Sequence, residues 1–173
     1  MLEQRRCRDD VGSHGATLSL AASTASVRVI TRICRSALVP YIDIGLTITI
    51  GQAGTVSAVG GQIVTSVPNG PCLRCVGVIT DESLARDREE YVAGPPEQQV
   101  ISMNGILASQ AVTIALALLT GFSTSHPLPP HLLYDGLEHS LRSNTYLPDV
   151  PCPHYPLDDA GWAVLLPPKR VAS

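Results

Sequence analysis

The chain has 173 residues, 45% hydrophobic and 16% charged, with a formal net charge of -3. That length fits one ordinary domain or the larger part of one, and the apolar content excludes a disordered tail. A slightly acidic chain offers no basic field, so nucleic acid is not an expected partner. Aromatic residues make up only 4%, so the core must rest on Val, Ile, Leu and Ala.

In chain order, residues 1–22 show no hydrophobic period and read as a poorly ordered arm. Arg5, Arg6 and Arg8 are followed at once by Asp9 and Asp10 and then by a stretch broken by Ser and Thr, which does not make an export signal. Residues 23–155 read as the folded region and 156–173 as a tail carrying Trp162. From Ala22 to Ala37 the pattern predicts a helix with Arg28, Arg32 and Arg35 on one side, ended by Pro40. Residues 41–50 then alternate, placing Ile42, Ile44, Leu46, Ile48 and Ile50 on one strand face. Gly45 marks a bend or a close backbone approach within that run.

Two further strands are predicted, Thr55 to Val59 and Gln62 to Val67, with Gly60-Gly61 as the hairpin turn between them. Pro68-Asn69-Gly70-Pro71 is a second turn, leading into Cys72. Thr80 to Gln99 is polar, charged and broken by Gly94-Pro95-Pro96, and reads as a long exposed loop. The strongest helix follows, Val100 to Leu119, capped by Gly121. Its small residues Gly105, Ala108, Ser109, Ala111 and Ala115 suit close packing on a sheet. The apolar run from Ile106 to Leu119 falls short of the roughly 20 residues a bilayer span needs, so a buried helix and no membrane contact are expected. After the linker at Pro127–Pro130, His131 to Tyr134 and Ser140 to Tyr146 read as an antiparallel hairpin.

The chemistry concentrates in cysteine. Cys7, Cys34, Cys72, Cys75 and Cys152 are odd in number and unevenly spaced. That pattern suits a reduced, cytoplasmic setting with a metal site better than a disulfide scaffold. Cys72-Leu73-Arg74-Cys75 has the spacing of half a zinc site, and Cys152-Pro153-His154 is the candidate other half. A redox pair is a further option for Cys72 and Cys75, but it needs a strand-to-helix junction, and the β-rich run before Cys72 argues against one. A second Cys-x-x-Cys would put a cysteine at position 155, where Tyr155 stands. His154, another histidine or a water takes the fourth position, or the site does not close. His126, His131, His139 and His154 sit in loop or edge contexts, where a solvated surface histidine is the default. Asp43 lies inside an apolar strand, so it must be paired, hydrogen-bonded or facing a cleft. Cys34 reads as a small apolar filler. There is no Gly-x-Gly-x-x-Gly opening a helix and no Gly-Lys-Ser or Gly-Lys-Thr, so no catalytic or nucleotide-binding residue is assigned.

Several segments together resemble one family. Thr31-Arg32-Ile33 through Pro40-Tyr41-Ile42-Asp43-Ile44-Gly45 resembles the helix-to-strand passage of ThiF/MoeB/HesA proteins, the adenylyltransferases related to the ubiquitin-activating enzyme. Gly54-Thr55-Val56 and Pro71-Cys72-Leu73-Arg74-Cys75 resemble the family's Gly-x-Val strand and first zinc half-site. Val100 to Gly105, with Ala108 and Thr120-Gly121, resembles the helix after the crossover loop, and the Cys152 region falls where the second half-site belongs. The likeness covers roughly residues 28–155; where the family often has Asn before Arg32, this chain has Thr31.

The resemblance implies an α/β, Rossmann-like fold in part, with a mixed sheet, one long buried helix and a structural zinc site at Cys72, Cys75, Cys152 and His154. It also implies an ATP- and magnesium-dependent adenylyltransferase acting on the C-terminus of a ubiquitin-like or sulfur-carrier protein. The family's nucleotide-gripping half has no counterpart in these residues. The chain is therefore expected to be truncated and inactive alone, using ATP and magnesium only if that half is supplied. An exposed sheet edge open to a partner or to a second copy is expected too. A non-catalytic, zinc-stabilised protein-interaction module and a decayed gene fragment are the alternatives.

Overall fold

A computed structural model describes residues 17–19, 23–51, 54–90, 101–122, 128–147 and 152–155. Its elements run β1 (Thr17–Ser19), α1 (Thr24–Ser36), β2 (Tyr41–Ile50), β3 (Val56–Ser66), α2 (Asp81–Glu90), α3 (Ile101–Thr120), β4 (His131–Asp135) and β5 (Ser140–Ser143). The fold is mixed α/β: the strands form one sheet in sequence order. β1 and β2 are parallel, and β2 to β5 are successively antiparallel. Of the expected arm over residues 1–22, Thr17–Ser19 are instead a strand paired with Tyr41–Asp43. Cys7, His126, Gly94-Pro95-Pro96 and the tail with Trp162 lie outside the described residues.

α1 forms where the sequence places a helix. Ser23 is extended and its hydroxyl accepts from the Ser26 N–H at 3.3 Å, satisfying a first-turn donor. Val27, Thr31 and Cys34 recur at helical spacing and are buried. Leu38, at φ 58°, and the Val39 N–H bonding back to the Cys34 carbonyl at 2.9 Å close the C-terminal end. α1 is thus the crossover joining two parallel strands, as such pairs require.

The alternation of β2 sets the layers. Ile42 and Ile44 pack with Ile63, Leu132 and Tyr134 beneath Leu107, Ala111 and Ile114 of α3. Tyr41 and Val64 belong to a separate cluster with Val27 and Cys34 of α1 and with Leu73 and Ile79. Ala108, Ala111 and Ala115 join the α3 packing as their size suggests, whereas Gly105 and Ser109 are exposed. Gly121, at φ 66°, ends α3 with its N–H on the Ala117 carbonyl at 2.9 Å. The whole 20-residue helix is long and apolar enough, by length and composition, to cross a bilayer. In this fold one of its faces lies on the sheet.

Two further expectations, about a turn and a loop, are corrected. Gly60-Gly61 is no hairpin turn: β3 runs unbroken through it, and the β2–β3 hairpin closes at residues 51–55, where the Gly51 N–H meets the Thr55 carbonyl at 2.7 Å. The reason is tertiary. A Cβ on Gly61 would lie 2.9 Å from Leu107 Cδ1 and 3.2 Å from Leu46 Cδ1, so any side chain there would have to displace the leucines through which α3 approaches the sheet. The predicted loop from Thr80 to Gln99 is also helical over Asp81–Glu90. There Thr80 and Ser83 exchange side-chain-to-backbone hydrogen bonds, both at 3.0 Å, in a reciprocal cap. Asp87 of α2 then accepts from the Ala25 N–H at 2.9 Å, placing a carboxylate at the N-terminus of α1, whose own first turn has none.

The β4–β5 hairpin stands where expected, but His131 is buried rather than solvated. Its Nε2 lies 3.1 Å from Gln62 Oε1 and its Nδ1 3.0 Å from Asn144 Nδ2. The amide donates to Nδ1 and Nε2–H donates to Gln62, so the ring is held neutral, and burial lowers its pKa.

Candidate metal centre

The Cys72 turn is built by its neighbours. Asn69 adopts φ 67°, and the Gly70 N–H bonds the Val67 carbonyl at 3.0 Å, turning the chain out of β3. Leu73 is fully buried in the α1-side cluster and anchors the turn from below. The Val76 N–H returns to the Cys72 carbonyl at 3.2 Å and the Val78 N–H to the Leu73 carbonyl at 2.9 Å. Cys72 sulfur accepts from the backbone N–H groups of Arg74 and Cys75. Cys152 sulfur accepts from those of His154 and Tyr155, the same second and third positions onward. The two turns are therefore alike in how they cradle a sulfur with amides.

They meet. One ligand atom each from Cys72, Cys75, Cys152 and His154 lies within 4.8 Å of every other. Cys72 and Cys75 sulfurs are 3.7 Å apart, and those of Cys75 and Cys152 are 3.6 Å apart. His154 Nδ1 is 3.5 Å from both Cys72 and Cys75. A tetrahedral zinc with bonds of about 2.3 Å to sulfur and about 2.05 Å to nitrogen spaces its ligands about 3.8 Å (sulfur to sulfur) and about 3.5 Å (sulfur to nitrogen). The sulfurs are far beyond the roughly 2.05 Å of a disulfide. This cluster can bind a metal ion, and its spacing is compatible with zinc.

Electrostatics favour the same use. Burial is the largest influence on Cys72 and, with the neighbouring Cys152 charge, pushes its thiol up to about 12. Burial also acts to raise Cys152, but the amides of His154 and Tyr155 and the thiols of Cys72 and Cys75 outweigh it and leave it below the ordinary value. A divalent ion at the cluster would favour the thiolate form of each cysteine and so oppose the rise that burial imposes on Cys72. No family model matches this sequence, and no curated protein matches it significantly.

The remaining sequence candidates lie elsewhere. Asp43 is buried, hydrogen-bonded by the Tyr41 hydroxyl at 2.9 Å, and burial raises its carboxyl pKa. It resolves to the hydrogen-bonded option and is not among the clustered ligands. Cys34 is buried in α1, as expected of a filler. Thr31 is wholly buried, and its hydroxyl has no hydrogen-bond partner among the described residues. Sequence reasoning missed Arg35 and Tyr155, which flank the cluster. The alignment of Arg35 with Val27 and Thr31 on the apolar side of α1 was the available signal.

Proposed function

We propose that this chain is the carrier-facing half of a ThiF/MoeB/HesA-type adenylyltransferase, closed by a structural zinc ion and shaped to receive the C-terminal tail of a ubiquitin-like or sulfur-carrier protein. The observation that supports this most is the meeting of two cysteine-bearing turns, one between β3 and α2 and one after β5, that the resemblance treats as halves of one site. The parallel β1–α1–β2 crossover is the unit from which Rossmann-like sheets are built. Three thiolates and an imidazole at tetrahedral spacing suit zinc, and four protein ligands leave no open position, so the ion's role is structural.

The β2–β3 hairpin extends past the core and carries exposed Ile50 and Val56 beside its tip, in register with each other. In the family the strand at the Gly54 position and the crossover segment border the channel for the carrier tail. These two side chains are the apolar contacts that reading assigns to it. The reading gives these residues no catalysis of their own: they contain no phosphate-binding loop. ATP and magnesium enter only with a nucleotide-binding half.

The test is calorimetric titration of the zinc-loaded chain with a sulfur-carrier protein ending in Gly-Gly, and with that carrier lacking the diglycine. Binding that needs the diglycine supports the proposal, and two silent titrations refute it. ATP–pyrophosphate exchange by the chain alone should be flat. Equal binding of both carriers would support a non-catalytic interaction module, the reading favoured by α2, where Asp81, Glu82 and Arg86 are exposed.

A further inference from the structure

Arg35 is a buried cation, 5% exposed, with neutral partners. Its Nη1 donates to the Val67 carbonyl, to the Gly70 carbonyl at 3.1 Å and to Ser66 Oγ at 3.5 Å. These groups form the turn that delivers Cys72. Its guanidinium lies 5.7 Å from the centre of the Tyr155 ring, within cation–π range. Tyr155 follows His154 directly and donates its backbone N–H to Cys152. One side chain from α1 therefore touches both half-sites at once. Among the described residues no carboxylate pairs with it; the two ion pairs are Arg74–Asp81 and Arg142–Glu138.

A buried guanidinium with only neutral acceptors is costly unless a negative charge stands nearby. Three thiolates around a divalent ion leave one excess negative charge on the centre. Arg74, ion-paired with Asp81, and Arg32 also act on Tyr155. The geometry points to Arg35 as the positioning residue of the metal centre: it locks the two half-sites in register and balances the charge of the tri-thiolate ion. Position 155, which a second Cys-x-x-Cys would use for ligation, is used here for the stack that completes the lock. This inference rests on the zinc reading above.

The experiment measures zinc affinity of the full chain by chelator competition, with cobalt(II) absorption as the signature of tetrahedral thiolate ligation. Arg35→Met should weaken zinc by about 10- to 100-fold, the effect of losing an outer-shell partner, and should dim the cobalt bands. Arg35→Lys, which keeps the charge but not the fork, should recover part of the affinity. Tyr155→Leu leaves the hydrogen bonds of Arg35 in place and should still weaken zinc, so it decides the matter if Arg35→Met does not fold. Arg142→Met, at an exposed pair, should match the parent. Folded Arg35→Met and Tyr155→Leu chains that hold zinc as tightly as the parent would overturn the inference and leave the zinc site standing. A parent chain that takes up no zinc would overturn both.

Discussion

Removing the metal should act on stability in proportion to the chain it ties together. The cross-link joins Cys75 to Cys152, closing a loop of 152 - 75 = 77 residues. Treated as a loop constraint on the unfolded chain, a closure of that length is worth about 15 cal/mol/K, or about 4.5 kcal/mol at 25 °C. For a chain of this size each kcal/mol moves the melting midpoint by about 2–4 °C, so chelation should lower it by about 9–18 °C. The assay is thermal melting followed by circular dichroism on zinc-loaded protein, before and after EDTA, with zinc restored afterwards. Cys152→Ser should show the lower midpoint from the outset and respond little to EDTA. A zinc-bearing protein whose midpoint moves by less than about 3 °C on chelation would refute the clasp as a long-range constraint.

Three further outcomes follow from the packing. Gly61→Ala should cost about 1–3 kcal/mol by overpacking against Leu107, while Gly60→Ala, with nothing within 4 Å of its Cβ, should cost clearly less. Equal urea midpoints for the two variants would contradict the close-approach account. Asp87→Ala should cost about 0.5–2 kcal/mol by stripping the acceptor from the first turn of α1, with an unchanged denaturant slope, and Asp87→Asn should keep most of that stability. His131 has a folded pKa below its ordinary 6.5, so the unfolded chain binds the proton more readily. Its contribution is therefore present above pH 6.5 and is lost as pH falls toward the folded value; His131→Gln should flatten that slope, and nitrogen NMR should show the Nε2–H tautomer.

How much was legible depends on whether the signal was local. The alternation from Tyr41 to Ile50 is local, and β2 stands where it was read. Cys72, Cys75 and Cys152 were legible as one candidate cluster because thiols two residues apart suit a single metal ion, whereas the fourth position was left open between His154, another histidine and a water. Gly60-Gly61 was misread because a turn and a close helix approach ask the same thing of a sequence: no side chain. Only the distant Leu107 tells them apart. α2 was missed because it has little apolar periodicity; its signals are the Thr80–Ser83 cap and an aspartate serving another helix. His131 follows a proline-rich linker that suggests exposure, and its partners lie on β3 and just past β5. The contact of Arg35 with Tyr155 spans 155 - 35 = 120 residues and leaves no trace in either neighbourhood.

The separation of the two cysteine-bearing turns also sets an order of events during synthesis. Cys72 and Cys75 leave the ribosome well before Cys152 and His154 exist, so the nascent chain carries a bare dithiol. The four-ligand cluster can therefore close only after residues 152–154 have been made.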